Sequence, residues 1–304
     1  MAVTERGFRG GALVVLVPYL WLAFFFLVPF LIVLKISLSD DVLAQPPYAP
    51  LFDPSAGRAG VRDFIAALDL DNYAFVLGDS LYVYSYLQSV AIAALSTCIL
   101  MLIGFPIAYG MVRAPSSWRP LLLMLVILPF WTSFLIRVYA WMGILAREGL
   151  LNQLLDGLGI VDEPVEILAT NYAVVLGIVY SYLPFMVLPL YAALERLDES
   201  LLEAAADLGA PPWKSFWLVT FPLALPGLVA GSLLCFIPAV GEFVIPDLLG
   251  GSDTLMIGRT LWTEFFSNRS WSIASVIAIL LLIVLVMPMV FYQNIQARSL
   301  DAGR

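Results

Sequence analysis

Few residues in this sequence are of a type that performs chemistry in proteins. The chain has no histidine, and its two cysteines, Cys98 and Cys235, lie far apart in separate apolar stretches. A free thiol in such a stretch behaves as a small hydrophobic group. No cysteines or carboxylates are clustered at metal-ligand spacing, so metal catalysis and histidine-based acid–base catalysis lack their usual residues. We therefore predict no catalytic residue and no metal site, which argues against an enzyme.

One acidic residue, Glu242, stands at the end of a long apolar stretch. An ionisable side chain within or at the end of a membrane span is costly, so it is a functional candidate by default. Glu242 could alternatively pair with Arg137. At 1.5 Å per residue, Arg137 lies about 26 Å along its helix from Pro120, and Glu242 about 30 Å from Pro222. Both readings, contact with a solute and pairing with Arg137, stay open at this point.

Aromatic residues accompany these charges in the third and fourth apolar stretches. Aromatic faces attract cations by about 0.5–2 kcal/mol each, although Tyr and Trp near a membrane interface often form only an aromatic belt. The candidates for a solute pathway, besides Glu242, are Trp131, Tyr139, Trp141, Tyr180 and Tyr182, with Phe185 beside them.

The elements that position these residues follow from composition. With 62% hydrophobic residues, 12% charged residues and a mean hydropathy of +0.94, the chain is too apolar for one water-soluble core. About 20 apolar residues span the hydrocarbon core as a helix. Six stretches approach or exceed that length, and none alternates as a barrel strand does. They lie between Arg9 and Lys35, Asp79 and Arg113, Arg119 and Arg137, Glu166 and Glu195, Lys214 and Glu242, and Arg269 and Arg298.

These stretches predict an all-α membrane protein with six transmembrane helices, the third continuing through Arg137 to about Trp141. The first stretch is longer than the apolar region of a secretory signal, so we expect a retained helix. Residues 11–293 form the transmembrane domain, between a cytoplasmic tail at 1–10 and another at 294–304. A cytoplasmic loop covers 193–221, and a periplasmic loop covers 39–80.

The positions of the charged residues tell more about the electric field around the protein than about its orientation in the membrane. The short loop between Arg113 and Arg119 and the basic residues on both tails favour a cytoplasmic position for both termini. On the predicted outer side fall 16 of the 23 acidic residues but only seven of the 15 basic ones. That field would attract cations. An ordinary solvated acidic surface explains the same excess.

The loop at 196–222 carries the strongest local signal. Ser200 followed by Glu203 fits a capping box, in which the two side chains satisfy amides at the start of a helix. Gly209 suits the left-handed position that ends a helix. Pro211 and Pro212 cannot continue that helix but can begin another. We predict a short helix, a stop and a second short helix, forming a docking surface.

At these residues the chain resembles a known family. Its Glu203, Ala204, Ala205, Gly209 and Pro222 have the spacing of the EAA loop of ABC importer permeases. Where the family commonly has Ile and Leu, this chain has Val219 and Phe221, which are also apolar. The resemblance implies that the loop docks on a cytoplasmic ATPase. The residues it assigns to coupling are Glu203, Ala204, Ala205, Asp207, Gly209 and Pro222.

The resemblance extends along nearly the whole chain. Residues 127–145, 179–191 and 236–251 are similar to the permeases of putrescine and spermidine importers, and most similar to the putrescine type. It implies a type I ABC importer permease (MetI-like) fold in the bacterial inner membrane. The implied partners are two ATP-binding subunits, a second and distinct permease, and an outer polyamine-binding protein. Nucleic acid is not an expected partner.

The ATP site is expected on those partner subunits. No G-x-x-x-x-G-K-[ST] phosphate loop occurs in the chain, so ATP and Mg²⁺ are predicted to bind elsewhere. One alternative is an ATP-independent carrier or channel for a small cation, whose intramembrane acids would serve as ion sites. A structural or signalling membrane subunit is another. Stable association with an ATPase would exclude the carrier, and ATP-dependent uptake would exclude the signalling role.

Overall fold

A computed structural model describes residues 15–51, 55 and 57–302, and side chains are described only as far as Val290. The predicted tail at 1–10 lies outside the described residues. In chain order the helices are α1 (Val15–Ser37), α2 (Gly57–Ala66), α3 (Asp71–Gly78), α4 (Ser80–Arg113), α5 (Arg119–Trp131), α6 (Phe134–Leu145), α7 (Leu150–Gly157), α8 (Asn171–Glu195), α9 (Glu199–Asp207), α10 (Pro212–Val240), α11 (Val244–Leu249), α12 (Ile257–Trp262) and α13 (Trp271–Ala302). Two short antiparallel strands, β1 (Asp40–Asp41) and β2 (Tyr48–Ala49), complete the fold.

The chain divides into two compact units. The first contains the residues up to Val83 together with those from Leu261 onward, and in it α13 packs against α1. The second contains residues 84–260. Each unit is built around apolar helices, as the composition predicts.

In the first unit, the described part of the segment at 39–80 contains the β1–β2 hairpin and the short helices α2 and α3. The Nζ of Lys35 donates to the carbonyl of Pro50 at 2.6 Å and lies 4.0 Å from the ring centre of Tyr48. Asp41 accepts hydrogen bonds from the hydroxyl of Ser270 and the amide of Ser272. The hairpin is therefore attached to the last turn of α1 and to the start of α13.

In the second unit, the core lies between α8 and α10. A side chain at Gly227 would come within 2.7 Å of the carbonyl oxygen of Pro189, and one at Gly231 within 3.1 Å of that of Met186. Small residues let the two backbones approach closely, which is how helices commonly pack in lipid. Cys235 is buried in this core, whereas Cys98 is exposed on α4.

Among the described residues, four helices are each long and apolar enough to cross a membrane: α1, α4, α8 and α10. The apolar part of α13, Trp271–Met287, is shorter. A fifth span would require α5 together with the helix that follows it. The count of six is compatible with these helices and stays a prediction.

The third stretch differs from its prediction. We expected one straight helix through Arg137 to about Trp141, but the axis bends by 87° between Trp131 and Phe134. Thr132 and Ser133 have extended backbones, with ψ of 152° and 136°, and α5 ends in a 3₁₀ turn that includes Pro129. The estimate of the depth of Arg137 along a straight axis was therefore wrong.

The membrane orientation can be tested with single cysteines in a chain whose Cys98 and Cys235 are replaced by serine. We expect Ala44→Cys, exposed beside the β1–β2 hairpin, to react with an impermeant maleimide added outside. Ala206→Cys, exposed on α9, should react only after the cytoplasmic side is opened. Labelling of the two positions from the same side would disprove the proposed topology.

Candidate functional site

The first candidate region is the loop that contains α9. Its helix begins two residues earlier than the sequence suggests, because Asp198 is the N-cap and its carboxylate accepts from the amide of Ser200 at 3.0 Å. The predicted capping box of Ser200 and Glu203 was therefore wrong, since Ser200 already lies inside the first turn. The hydrogen bonds from Ser200 hold the pKa of Asp198 below its usual value.

The end of α9 agrees with the prediction. Gly209 has a φ of +75°, the left-handed conformation expected for a helix-ending glycine. The amide of Gly209 donates to the carbonyl of Ala206 at 2.8 Å, and the amide of Ala210 donates to that of Ala205 at 3.0 Å. This pair of bonds is a Schellman motif, which fixes the direction in which the chain leaves the helix.

The surface of α9 has no buried residue. Glu199, Glu203 and Asp207 are exposed and follow one another at intervals of four, so they form one acidic row on the helix. Leu208 is 89% exposed and Trp213, after the turn, is 67% exposed. An ordered helix that presents both an acidic row and large apolar side chains is suited to binding another protein.

The proline that ends the motif lies inside a longer helix. Pro211 is the N-cap and Pro212 the first residue of α10, as predicted. We expected a second short helix, but α10 continues without a break to Val240. A π turn, Phe216–Thr220, directly precedes Pro222. The wider turn accommodates a residue that has no amide hydrogen and whose ring would clash in a regular α-helix.

At the opposite end of α10, Glu242 lies in the short break before α11 and is only 8% exposed. One carboxylate oxygen accepts from the hydroxyl of Tyr182 at 2.6 Å. The other accepts from the amides of Val244 at 3.1 Å and Ile245 at 3.4 Å. Glu242 therefore satisfies the free amides at the start of α11 and joins that start to α8.

Arg137 has different partners, so the structure does not form the pair that the sequence allowed. Its Nη1 donates to the carbonyl of Pro129 at 2.7 Å. The guanidinium carbon lies 5.3 Å from the ring centre of Phe130 and 5.8 Å from that of Phe134. Its Nε is buried and has no hydrogen-bond partner in the part of the chain that the structure describes. Arg137 thus joins α6 to α5 across the 87° bend.

The aromatic candidates are not brought together in one wall. Trp141 and Tyr180 form a T-shaped pair with ring centres 5.4 Å apart. Tyr182 lies two residues further along α8, which places it on a different face, beside Phe185 at 5.9 Å. Trp131 and Tyr139 are exposed at the surface of the single chain.

A polar cluster on α4 was missed by the sequence analysis. The amide nitrogen of Gln88 donates to Asn171 at 3.2 Å, and its oxygen accepts from the amide of Leu255 at 2.9 Å. Thr254 donates to the same oxygen of Asn171 at 2.8 Å. Gln88 and its neighbours Ser85 and Ser89 are buried at a spacing of three and four, the pattern of one helix face. That spacing was the available signal in an otherwise apolar stretch.

Comparisons with known proteins agree along the length of the chain. A family model described as binding-protein-dependent transport system inner membrane component matches residues 11–301. The spermidine/putrescine transport system permease protein PotB of Haemophilus influenzae is 39% identical over 278 residues, which are 91% of this chain and 91% of that protein. The PotB of Escherichia coli K12 is 43% identical over 223 residues, 73% of this chain and 81% of that protein.

Among solved structures, one chain of a bacterial alginate ABC transporter in complex with its alginate-bound periplasmic protein has a TM-score of 0.70. The match covers 97% of this chain and 96% of that chain at 16% sequence identity. At so low an identity the likeness shows a shared fold.

Proposed function

The chain belongs to the family of binding-protein-dependent transport system inner membrane components, and is a non-enzymatic permease subunit of an ABC transporter with the MetI-like fold; from this premise we propose that it imports a polyamine. The single observation that supports the substrate class is the similarity to spermidine/putrescine permeases along 91% of the chain. Putrescine is the favoured substrate and spermidine the second.

We propose that the loop at 193–221 couples transport to ATP hydrolysis. The exposed row of Glu199, Glu203 and Asp207 and the exposed side chains of Leu208 and Trp213 support this role. Ala204 and Ala205, which bring no bulk, allow close approach along the same helix. ATP and Mg²⁺ bind to two partner subunits, since the chain has no phosphate-binding loop. Gly209 sets the direction in which the chain leaves α9, and Pro222 follows the π turn within α10.

The assembly we propose contains a second, distinct permease and a periplasmic polyamine-binding protein. Both termini lie in the cytoplasm and the segment at 39–80 lies outside. Exposed aromatic side chains such as Trp131 and Tyr139 support a pathway between two permeases, because a wall shared by two chains is exposed in either chain alone. Large exposed apolar side chains in a span otherwise need lipid or a partner to cover them.

Within that pathway we propose that Glu242 provides the negative charge that favours an organic cation. Its three hydrogen-bond donors are uncharged groups, so no basic side chain is among its hydrogen-bond partners in the described residues. Tyr182 binds Glu242 directly, and Trp141 and Tyr180 supply further aromatic faces on α6 and α8.

Uptake by the reconstituted complex tests the proposal. Vesicles containing both permeases, the ATPase and the binding protein should accumulate labelled putrescine, and to a smaller extent spermidine, only when ATP is present on the ATPase side. Omitting the ATPase is the control. Accumulation without ATPase would instead support a carrier, and ATP-dependent uptake of a non-cationic solute alone would remove the polyamine assignment.

A further inference from the structure

A small polar pocket of about 80 Å³ lies in the second unit where the spans end near α9. The end of α4, the start of α5, the end of α8 and the start of α9 all contribute to its wall. Its polar and charged lining residues are Tyr109, Arg113, Arg119, Glu195, Glu199 and Thr220. Since a water molecule occupies about 30 Å³ in the liquid, the pocket admits small polar groups but not acyl chains.

The charged side chains of this pocket are not paired with one another. Within the described residues, Arg147 pairs with Glu166 and Arg259 pairs with Asp247, both outside this pocket. Arg119 donates through Nε to the carbonyl of Ala114 at 3.1 Å, and its other guanidinium nitrogens make no hydrogen bond to the described residues. Two positive and two negative side chains thus line one small space without neutralising each other. Arg113, Glu195 and Glu199 are exposed and Arg119 is partly buried, so these charges are open to a ligand that enters from outside.

Neighbouring tyrosines hold two of the charged side chains of the wall in place. Glu195 accepts from the hydroxyl of Tyr191 at 2.7 Å, and the guanidinium carbon of Arg113 lies 5.0 Å from the ring centre of Tyr109. Glu195 is thereby held in place with one carboxylate oxygen still available. Arg113 is likewise positioned over an aromatic face, with its donors free to bind an acceptor.

A buried hydroxyl without a partner provides a second, independent indication of a ligand. Thr220 is 3% exposed, and its Oγ1 has no hydrogen-bond partner in the described part of the chain. It lies in the π turn of α10 and lines the pocket. Leaving a buried hydroxyl without a hydrogen-bond partner is unfavourable. The same cost is avoided if a ligand supplies the partner.

We propose that this pocket binds the zwitterionic headgroup of an ethanolamine phospholipid. The guanidinium groups of Arg113 and Arg119 and the hydroxyl of Thr220 would bind the phosphate, because guanidinium donors match phosphate oxygens. The carboxylates of Glu195 and Glu199 would bind the primary ammonium. An anion alone would leave both carboxylates unpaired, and a cation alone would leave both arginines unpaired. Only an occupant with both charges satisfies the whole wall.

The position of the pocket favours a lipid as the source of these groups. The pocket lies at the ends of apolar spans, where headgroups meet the protein. Trp118, on the same short connection as Arg119, is 58% exposed, as is typical of tryptophans at a membrane interface. The site goes beyond the proposed transport function, because lipid binding is measured without any solute. It would give α9 a direct contact with the membrane.

Lipid binding to the purified permease complex tests the proposal by native mass spectrometry. We would compare phosphatidylethanolamine, phosphatidylcholine and phosphatidylglycerol with identical acyl chains. Ethanolamine lipid should bind about tenfold more tightly than choline lipid, because a trimethylated ammonium cannot donate a charged hydrogen bond. It should also bind more tightly than glycerol lipid, which has no cation. Equal binding of the three lipids would overturn the proposal.

Two conservative variants locate the effect. Glu195→Gln should bring the preference for ethanolamine over choline close to one, since the carboxylate is its proposed cause. Thr220→Val should weaken ethanolamine lipid binding about fivefold, the effect of one hydrogen bond. Glu166→Gln, in an exposed ion pair of this unit, is the matched control and should bind like the unmodified protein.

The same variants also show which results would contradict the proposal. Retention of the full preference by Glu195→Gln would exclude the pocket as the ammonium site. An equal loss in Glu166→Gln would show a general effect of charge. Displacement of the lipid by millimolar inorganic phosphate, without any dependence on the ethanolamine group, would identify a phosphate site and overturn the zwitterion assignment.

Discussion

Gly209→Val is expected to reduce ATP-driven uptake about tenfold while ATP hydrolysis by the partner continues. The φ of +75° at this position is strained for any side chain, and a β-branched residue resists it most. The left-handed conformation costs roughly 1–2 kcal/mol for an ordinary residue. A methyl group built at Gly209 meets nothing within 4 Å, so the effect would come from the backbone and not from a collision. Relief of that strain would turn α9 away from its docking direction.

A second glycine provides the matched control. Gly159 also has a positive φ, of +66°, and also has open space around it. Gly159→Val should therefore carry a similar backbone cost without uncoupling transport. Uptake and ATPase association should be measured for both variants in the same vesicles. Wild-type uptake by Gly209→Val, or an equal loss in Gly159→Val, would remove the coupling role from the turn.

The second large effect is expected at Glu242, where two substitutions separate charge from architecture. Glu242→Gln keeps an acceptor for the amides that begin α11, and the hydroxyl of Tyr182 can rotate to accept from the new amide. We expect this variant to fold and assemble but to take up polyamine about tenfold more slowly, since a hydrogen bond to a charged group contributes about 1.5–3 kcal/mol.

Glu242→Leu is expected to destabilise the folded protein and not only to slow transport. Its side chain leaves the donors of Tyr182, Val244 and Ile245 without their acceptor, at about 1–3 kcal/mol for each buried group. The measurement is the yield of monodisperse complex and its melting temperature. Normal uptake by Glu242→Gln would exclude Glu242 from solute recognition. Normal stability of Glu242→Leu would exclude the structural role.

The double variant with Arg137→Gln decides whether a distant pair exists at all. Because Arg137 is bound to Pro129 and stacked on Phe130, removing its charge should not restore anything lost in Glu242→Gln. Recovery of uptake or stability in the double variant would show that the two residues do interact in another state of the transporter.

The features that the sequence predicted correctly depend on neighbours in the chain. Gly209 and the two prolines specify their turn through their own backbone preferences, so no distant contact was needed. The start of α9 was predicted two residues too late, because Asp198 and Ser200 are both good N-caps and local propensity does not rank them. Apolar composition likewise predicted the long helices α1, α4, α8 and α10 without any knowledge of how they pack.

The errors concern features that depend on distant residues. Every residue near Thr132 and Ser133 is compatible with a straight apolar helix, and the bend depends on what α5 and α6 pack against. The partners of Glu242 lie 60 residues away on α8 and just beyond it on α11, so a count along one helix could not identify them. The sequence therefore predicted correctly that the third stretch is apolar and helical, but it did not predict the bend.

Helix α10 runs from the turn that we propose for coupling to within two residues of Glu242, with Pro222, Pro226 and Pro238 inside it. It has 29 residues, so it measures about 43 Å at 1.5 Å per residue. A tilt of about 5° at the end beside Pro212 would swing the far end, beside Glu242, through roughly 4 Å, which is about the length of a salt bridge. A small movement at the end of α10 beside Pro212 would then be enough to bring the carboxylate of Glu242 into or out of reach of an ammonium group. How much of this movement reaches Glu242 depends on the stiffness of α10. The π turn at Phe216–Thr220 is a place where the helix could bend and so pass on less movement.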